Sequence, residues 1–130
     1  MVLLQQDLTE QLIKTFFDVY NELGYGFLEK VYQNSMFIEL ESRGFDVQAQ
    51  KLIKVYYKGN RVGEYYADLV VNDLVILELK AAESLNKEFE AQLINYLRST
   101  SMEVGLLFNF GKKPEFIRKV YANTRKINSE

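Results

Sequence analysis

Apolar side chains recur at helical spacing from Asp7 to Leu23, through Leu8, Leu12, Ile13, Phe16, Phe17, Tyr20 and Leu23. This predicts a first helix, with Asp7 and Glu10 spaced as a capping box and Gly24 as its stop. After Tyr25-Gly26, a second stripe of Leu28, Val31, Tyr32, Met36 and Leu40, with Phe37 beside it, predicts a helix from Leu28 to Ser42 ended by Gly44. The period then changes to two. Val47–Tyr57, Arg61–Val71 and Leu74–Lys80 are rich in Val, Ile and Tyr and are separated by Lys58-Gly59-Asn60 and Asn72-Asp73, which predicts two consecutive hairpins. A polar stretch leads to a third helix from Lys87 to about Ser99, built on Phe89, Leu93, Tyr96 and Leu97. Val104–Phe110 is an apolar run but for Asn109 and is bounded by Gly111, which fits a fully buried central strand. Glu115–Tyr121 reads as a short edge strand or a helical turn, the strand being favoured. The order is α-α-β-β-β-α-β with that extra edge strand last, an α/β pattern expected to form one domain over residues 1–130.

Composition narrows the chemistry. The 130 residues include no Cys and no His, which excludes disulfides, thiolate nucleophiles, His general bases and His-ligated zinc. Reactions must run on carboxylates, Lys, Tyr, Ser, Thr or a hard metal ion. The opening MVLLQQDL lacks a basic stretch and a long apolar run, and no segment nears the roughly 20 apolar residues that span a bilayer. A cytoplasmic protein with no membrane partner is the expectation.

Net charge is −2, but it is unevenly spread. The first fifty residues carry eight acids and three bases, whereas the last twenty carry six bases against Glu115 and Glu130. A basic end attracts phosphate even on an acidic chain. Lys112, Lys113, Arg118 and Lys119 are therefore candidates for nucleic-acid contact, the plainer alternative being a solvated tail.

Candidate chemistry gathers on the second and third strands. Glu78 and Lys80, two apart, share one strand face. A hairpin turn centred on Asp73 sets Asp68 directly opposite Glu78, with Cβ atoms about 5 Å apart. Two carboxylates and an ammonium then point into one space, which suits magnesium, an ion bound by one or two carboxylates plus waters and substrate phosphate. On an exposed edge strand, Glu-x-Lys means little. Here its neighbours Val75, Ile76, Leu77 and Leu79 are apolar on both faces, and buried charges must be paired or bind metal. Glu29, in the first turn of the second helix, is either a dipole-stabilised acid or a further member of the site. Gln92 and Tyr96 sit one turn apart on the third helix, where a Gln can hold a water or phosphate.

These motifs together resemble a known family. Gly26-Phe27-Leu28-Glu29-Lys30-Val31-Tyr32 matches the G-x-x-E-x-x-Y signature of the GxxExxY protein family, which is similar to the PD-(D/E)XK nuclease superfamily. Asp68 with Glu78-Leu79-Lys80 matches its D…E-x-K core, and the segments around Gln92 and Val104–Gly111 look like its following helix and strand. The resemblance implies a restriction-endonuclease-like central mixed β-sheet flanked by helices. It implies Mg²⁺ (or Mn²⁺) on Asp68, Glu78 and the Leu79 backbone carbonyl, with Glu29 as a further ligand, Lys80 as catalytic lysine and Gln92 beside the site. Phe89 stands where a polar residue or His is expected, and Tyr66 where Arg is frequent. The implied activity is hydrolysis of DNA phosphodiester bonds, with a homodimer as the route to cutting both strands. The competing reading is a catalytically silent module on the same fold that binds nucleic acid or a partner.

Overall fold

The computed structural model describes residues 4–126. Two helices, α1 (Gln6–Leu23) and α2 (Glu29–Ser42), precede strands β1 (Val47–Tyr57), β2 (Asn60–Val71) and β3 (Val75–Lys80). Helix α3 (Lys87–Arg98) then leads to β4 (Val104–Phe110) and β5 (Pro114–Val120). The strands form one mixed sheet in the order β1-β2-β3-β4-β5. Only the β3–β4 pair is parallel, because only that connection carries a crossover helix.

The sheet is covered on both faces. On one, Phe16 of α1 stacks on Phe108 with ring centres 4.4 Å apart, and Tyr32 of α2 stacks on Phe110 at 4.2 Å. On the other, Leu93, Tyr96 and Leu97 of α3 pack against Val70, Ile76 and Leu107. Every residue of β4 is buried, the polar Asn109 along with the apolar run around it.

Both hairpin turns rest on left-handed backbone. Lys58 and Gly59 have φ of 50° and 80°, and Tyr57 pairs with Asn60, the geometry of a two-residue primed turn. Asn72 and Asp73 have φ of 54° and 53°, a conformation these short polar side chains tolerate. The second turn is pinned from outside: the Asp46 N–H donates to the Asn72 side chain at 2.9 Å, and the Asn72 N–H to the Asp46 carbonyl at 2.7 Å.

Two local expectations fail. No capping box forms on Asp7, because α1 begins one residue earlier; its cap, Gln5, is left-handed (φ 53°) and makes no side-chain cap bond. Asp7 instead lies in the first turn, where its charge faces the helix dipole. Leu28 is also outside the buried stripe. It is the extended residue just before α2 and is 80% exposed, while Tyr32, Met36 and Leu40 form the buried face.

Candidate active site

The β2–β3 ladder runs Val71↔Val75, Val70↔Ile76 and Leu69↔Leu77. This register is centred on Asp73 and brings Asp68 opposite Glu78. At that point the ladder gives way to side chains. The Asp68 N–H donates to Glu78 Oε2 at 2.8 Å, and the Leu79 N–H donates to Asp68 Oδ2 at 2.9 Å. Each carboxylate thus binds the backbone of the opposing strand, and the two are held between strands that are parting.

The other neighbour of β2 is irregular at the same place. Across from Asp68 on β1 stands Gln50, with φ of 52°. Ladder pairs on either side keep one register, Ala49↔Leu69 and Lys51↔Ala67. Yet Leu69 packs beneath α1 and α2, whereas Ala67, two residues away, packs beneath α3. The inward face of β2 therefore switches at Asp68. Positive φ in a non-glycine residue of a strand is strained, and such strain gathers at functional sites.

Glu78 is buried and Asp68 half-buried. Burial pushes Glu78 up to about 8, helped by the charge of Asp68 and opposed by the Asp68 N–H and the Lys80 ammonium. Burial also raises Asp68, while the Leu79 N–H and Lys80 pull it down. Tyr96 is pushed up to about 12, first by burial and then by the negative charges of Glu78 and Asp68. Two carboxylates buried side by side repel each other in their charged forms.

The remaining candidates divide. Lys80 follows Glu78 on β3, half-buried, and its ammonium lies over the Phe89 ring of α3, 4.7 Å from the centre. Glu29 opens α2 and is exposed, yet its charge is felt by both Asp68 and Glu78, which puts it on the site's side of the molecule. Among the described residues no group of three or more acidic side chains is close enough to hold an ion; the two acids that meet are Asp68 and Glu78. Two carboxylates fit magnesium, which keeps several waters. Gln92 is half-buried on α3, one turn before Tyr96. Lys112 and Lys113 are exposed in the β4–β5 turn, at the same end of the sheet as Lys80, since Lys80 registers with Asn109. Arg118 and Lys119 have partners within the chain, the Leu4 carbonyl and Glu90 respectively.

Several residues that shape the site carried no sequence signal. The buried Asn109 side chain donates to the Ala82 carbonyl and accepts from the Ala82 N–H, both at 2.9 Å, and so fixes the exit from β3. The Tyr32 hydroxyl donates to the Gly24 carbonyl at 2.8 Å and accepts from the Phe27 N–H at 3.2 Å, which ties down the loop that delivers Glu29. Lys30, beside Glu29, lines a depression of about 240 Å³ with Gln33, Asn34, Phe37 and Asp68, and its charge lowers Asp68. The Glu29-x-x-Tyr32 spacing was visible; the contacts explain it.

A family model described as the PD-(D/E)XK nuclease superfamily matches residues 6–120. The chain belongs to that superfamily. The match takes in Asp68, Glu78 and Lys80, along with both helices that precede the sheet. A solved structure titled "Crystal structure of SSO0001" is similar in fold, with a TM-score of 0.57 and 16% sequence identity over 72% of this chain. That alignment covers 50% of the other chain, so this chain spans about half its length. At such identity the likeness concerns the fold alone. Among curated proteins none matches the chain. The open mixed sheet with helices on both faces agrees with the restriction-endonuclease-like architecture expected of this superfamily. No helix among the described residues is long and apolar enough to cross a membrane.

Proposed function

We propose that this PD-(D/E)XK protein is a metal-dependent nuclease that hydrolyses DNA phosphodiester bonds at the Asp68–Glu78–Lys80 cluster. The observation that carries this reading is that the Glu78 carboxylate accepts from the Asp68 N–H and the Asp68 carboxylate from the Leu79 N–H, which packs two carboxylates into a buried space where burial and mutual repulsion favour a bound cation. Magnesium or manganese bound there would polarise a phosphoryl oxygen and supply hydroxide near neutral pH. Asp68 and Glu78 hold that charge in place, their orientations fixed by the opposing backbone N–H groups. Lys80 supplies an ammonium on the same strand face as Glu78, suited to stabilising charge that develops on the phosphate. Gln92 orients water or a phosphate oxygen from α3, and Glu29 adds negative charge from the α2 side. Lys112 and Lys113 lie in position to meet flanking phosphates.

One observation favours the silent-module reading: the Lys80 ammonium rests on the Phe89 ring. The test is incubation of the purified protein with supercoiled, linear and single-stranded DNA in Mg²⁺, Mn²⁺ or EDTA. Cleavage in a divalent metal and none in EDTA supports the nuclease. Binding with no cleavage in any metal supports the module.

A further inference from the structure

A cleft of about 950 Å³ opens on the α3 side between the β1–β2 hairpin, the end of α3 and the segment after β5. Its lining includes Lys54, Lys58, Arg98, Arg125 and Lys126, and no Asp or Glu. On a chain of net charge −2 this is a marked local excess of cations. None of the five is paired with a carboxylate among the described residues. Lys126 has a structural task, since its ammonium donates to the Thr100 and Met102 carbonyls at 2.8 Å each and so ties the segment after β5 to the α3–β4 connection. The other four cations are free to meet an anion.

Aromatic rings are set among these cations. Arg98 and Arg125 both lie over the Tyr121 ring, 5.9 and 4.4 Å from its centre. Tyr57 and Tyr65, both on the hairpin, are 64% and 49% exposed. Tyr65 approaches Tyr96, with ring centres 5.6 Å apart. Tyr96 links the cleft to the chemistry, because it lines the cleft and packs in one apolar cluster with Ala67, next to Asp68, and Ile76, two residues before Glu78 on β3. One wall of the cleft therefore runs toward the carboxylate pair.

Cations that track a phosphate backbone, with exposed rings on which bases stack, are the recognition chemistry of an unpaired nucleic-acid strand. A duplex keeps its bases stacked on one another and offers these rings nothing. We propose that the cleft binds a single, unpaired nucleic-acid strand and delivers it past Tyr96 to the Asp68–Glu78 site. The link to cleavage rests on the nuclease reading above; the binding does not.

The test is fluorescence anisotropy in EDTA, so that no cleavage occurs, with labelled oligo-dT, its duplex with oligo-dA, and oligo-rU of equal length. Wild type and Glu78→Gln are expected to bind oligo-dT at least about tenfold tighter than the duplex. The Arg98→Ala/Arg125→Ala variant is expected to flatten the slope of log affinity against log salt by about 1.4, roughly 0.7 for each phosphate contact on a single strand. Tyr65→Leu is expected to weaken binding about tenfold through lost stacking. An Arg98→Lys/Arg125→Lys variant, with charge kept, should regain the slope; its recovery separates charge from misfolding, which circular dichroism also checks. Equal binding of oligo-rU supports the cleft and adds RNA as a source of the strand. Equal affinity for duplex and single strand, or an unchanged salt slope in the Arg→Ala variant, overturns the proposal. If wild type never cleaves but binding follows the cleft residues, the nuclease reading fails and the cleft stands. If wild type cleaves single-stranded DNA and the Arg→Ala variant binds and cleaves as well, the cleft fails and the nuclease reading stands.

Discussion

The Lys80 ammonium sits 4.7 Å from the centre of the Phe89 ring, held by the face of an aromatic rather than by a carboxylate. Such a contact is worth about 0.5–1 kcal/mol where water has access, small enough for substrate phosphate to outcompete. Lys80→Ala is expected to cut metal-dependent nicking of supercoiled DNA by about a hundredfold or more. Phe89→Leu should change the rate by less than about tenfold. A Phe89→Leu loss as large as that of Lys80→Ala would mean the ring orients the ammonium for reaction.

The pH dependence of stability has a definite sign. Glu78 ordinarily titrates near 4.5 and is pushed up to about 8 in the folded chain. Between those values the folded state holds a proton that the unfolded chain has released, so stability falls as pH rises through this window. Raised Asp68 adds to the same trend. Thermal melts of the metal-free protein should fall in midpoint from about pH 5 to about pH 8, the stability lost being on the order of a few kcal/mol. Glu78→Gln should flatten that dependence and match or exceed wild type at the alkaline end, while losing cleavage. Saturating Mg²⁺ should recover stability in wild type and not in the variant. A wild-type midpoint that rises over this range would contradict the buried-pair electrostatics.

Asn109 satisfies both backbone groups of Ala82 from inside the sheet. Asn109→Leu leaves that N–H and carbonyl buried without partners, at a cost of about 2–4 kcal/mol. Urea unfolding should show it, and cleavage should fall as well, because Ala82 follows Lys80 by two residues. Gly111→Ala tests the same corner independently: an added Cβ would lie 2.5 Å from the Ala82 carbonyl oxygen, so it too should destabilise.

Tyr32→Phe keeps the ring stacked on Phe110 and removes only the hydroxyl that joins Gly24 to Phe27. About 1–2 kcal/mol of stability should be lost in chemical unfolding. If Glu29 contributes to the site through this loop, the variant should also raise the Mg²⁺ concentration needed for half-maximal cleavage, with little change at saturation.

Much of this site was legible because its logic is local. A turn centred on Asp73 fixes the pairing of Asp68 with Glu78 by counting residues, and the apolar neighbours on β3 mark the acids as buried. The apolar run Val104–Phe110 likewise announces a central strand. What stayed hidden depends on contacts distant in sequence. Asn109 and Ala82 are separated by a crossover helix. Tyr65 meets Tyr96 only after the sheet forms, and the four free cations of the cleft come from three separate elements. The left-handed Gln50 leaves no trace, since Gln has no preference for that conformation. Leu28 misled because periodicity alone cannot say where a helix begins, and one residue outside the first turn is enough to face water.

The Asn72-Asp73 turn bears on how this chain can vary through descent. Surface turns ordinarily absorb insertions and deletions with little harm. Here one added or missing residue would shift β3 against β2, and a one-residue slip turns every side chain to the opposite face. Asp68 and Glu78 would part company although neither had been replaced. The contacts of Asp46 with Asn72 tie the same turn to the α2–β1 connection, so compensating drift in either loop is also constrained. Length at this exposed bend should therefore be as invariant among working relatives as the acids themselves.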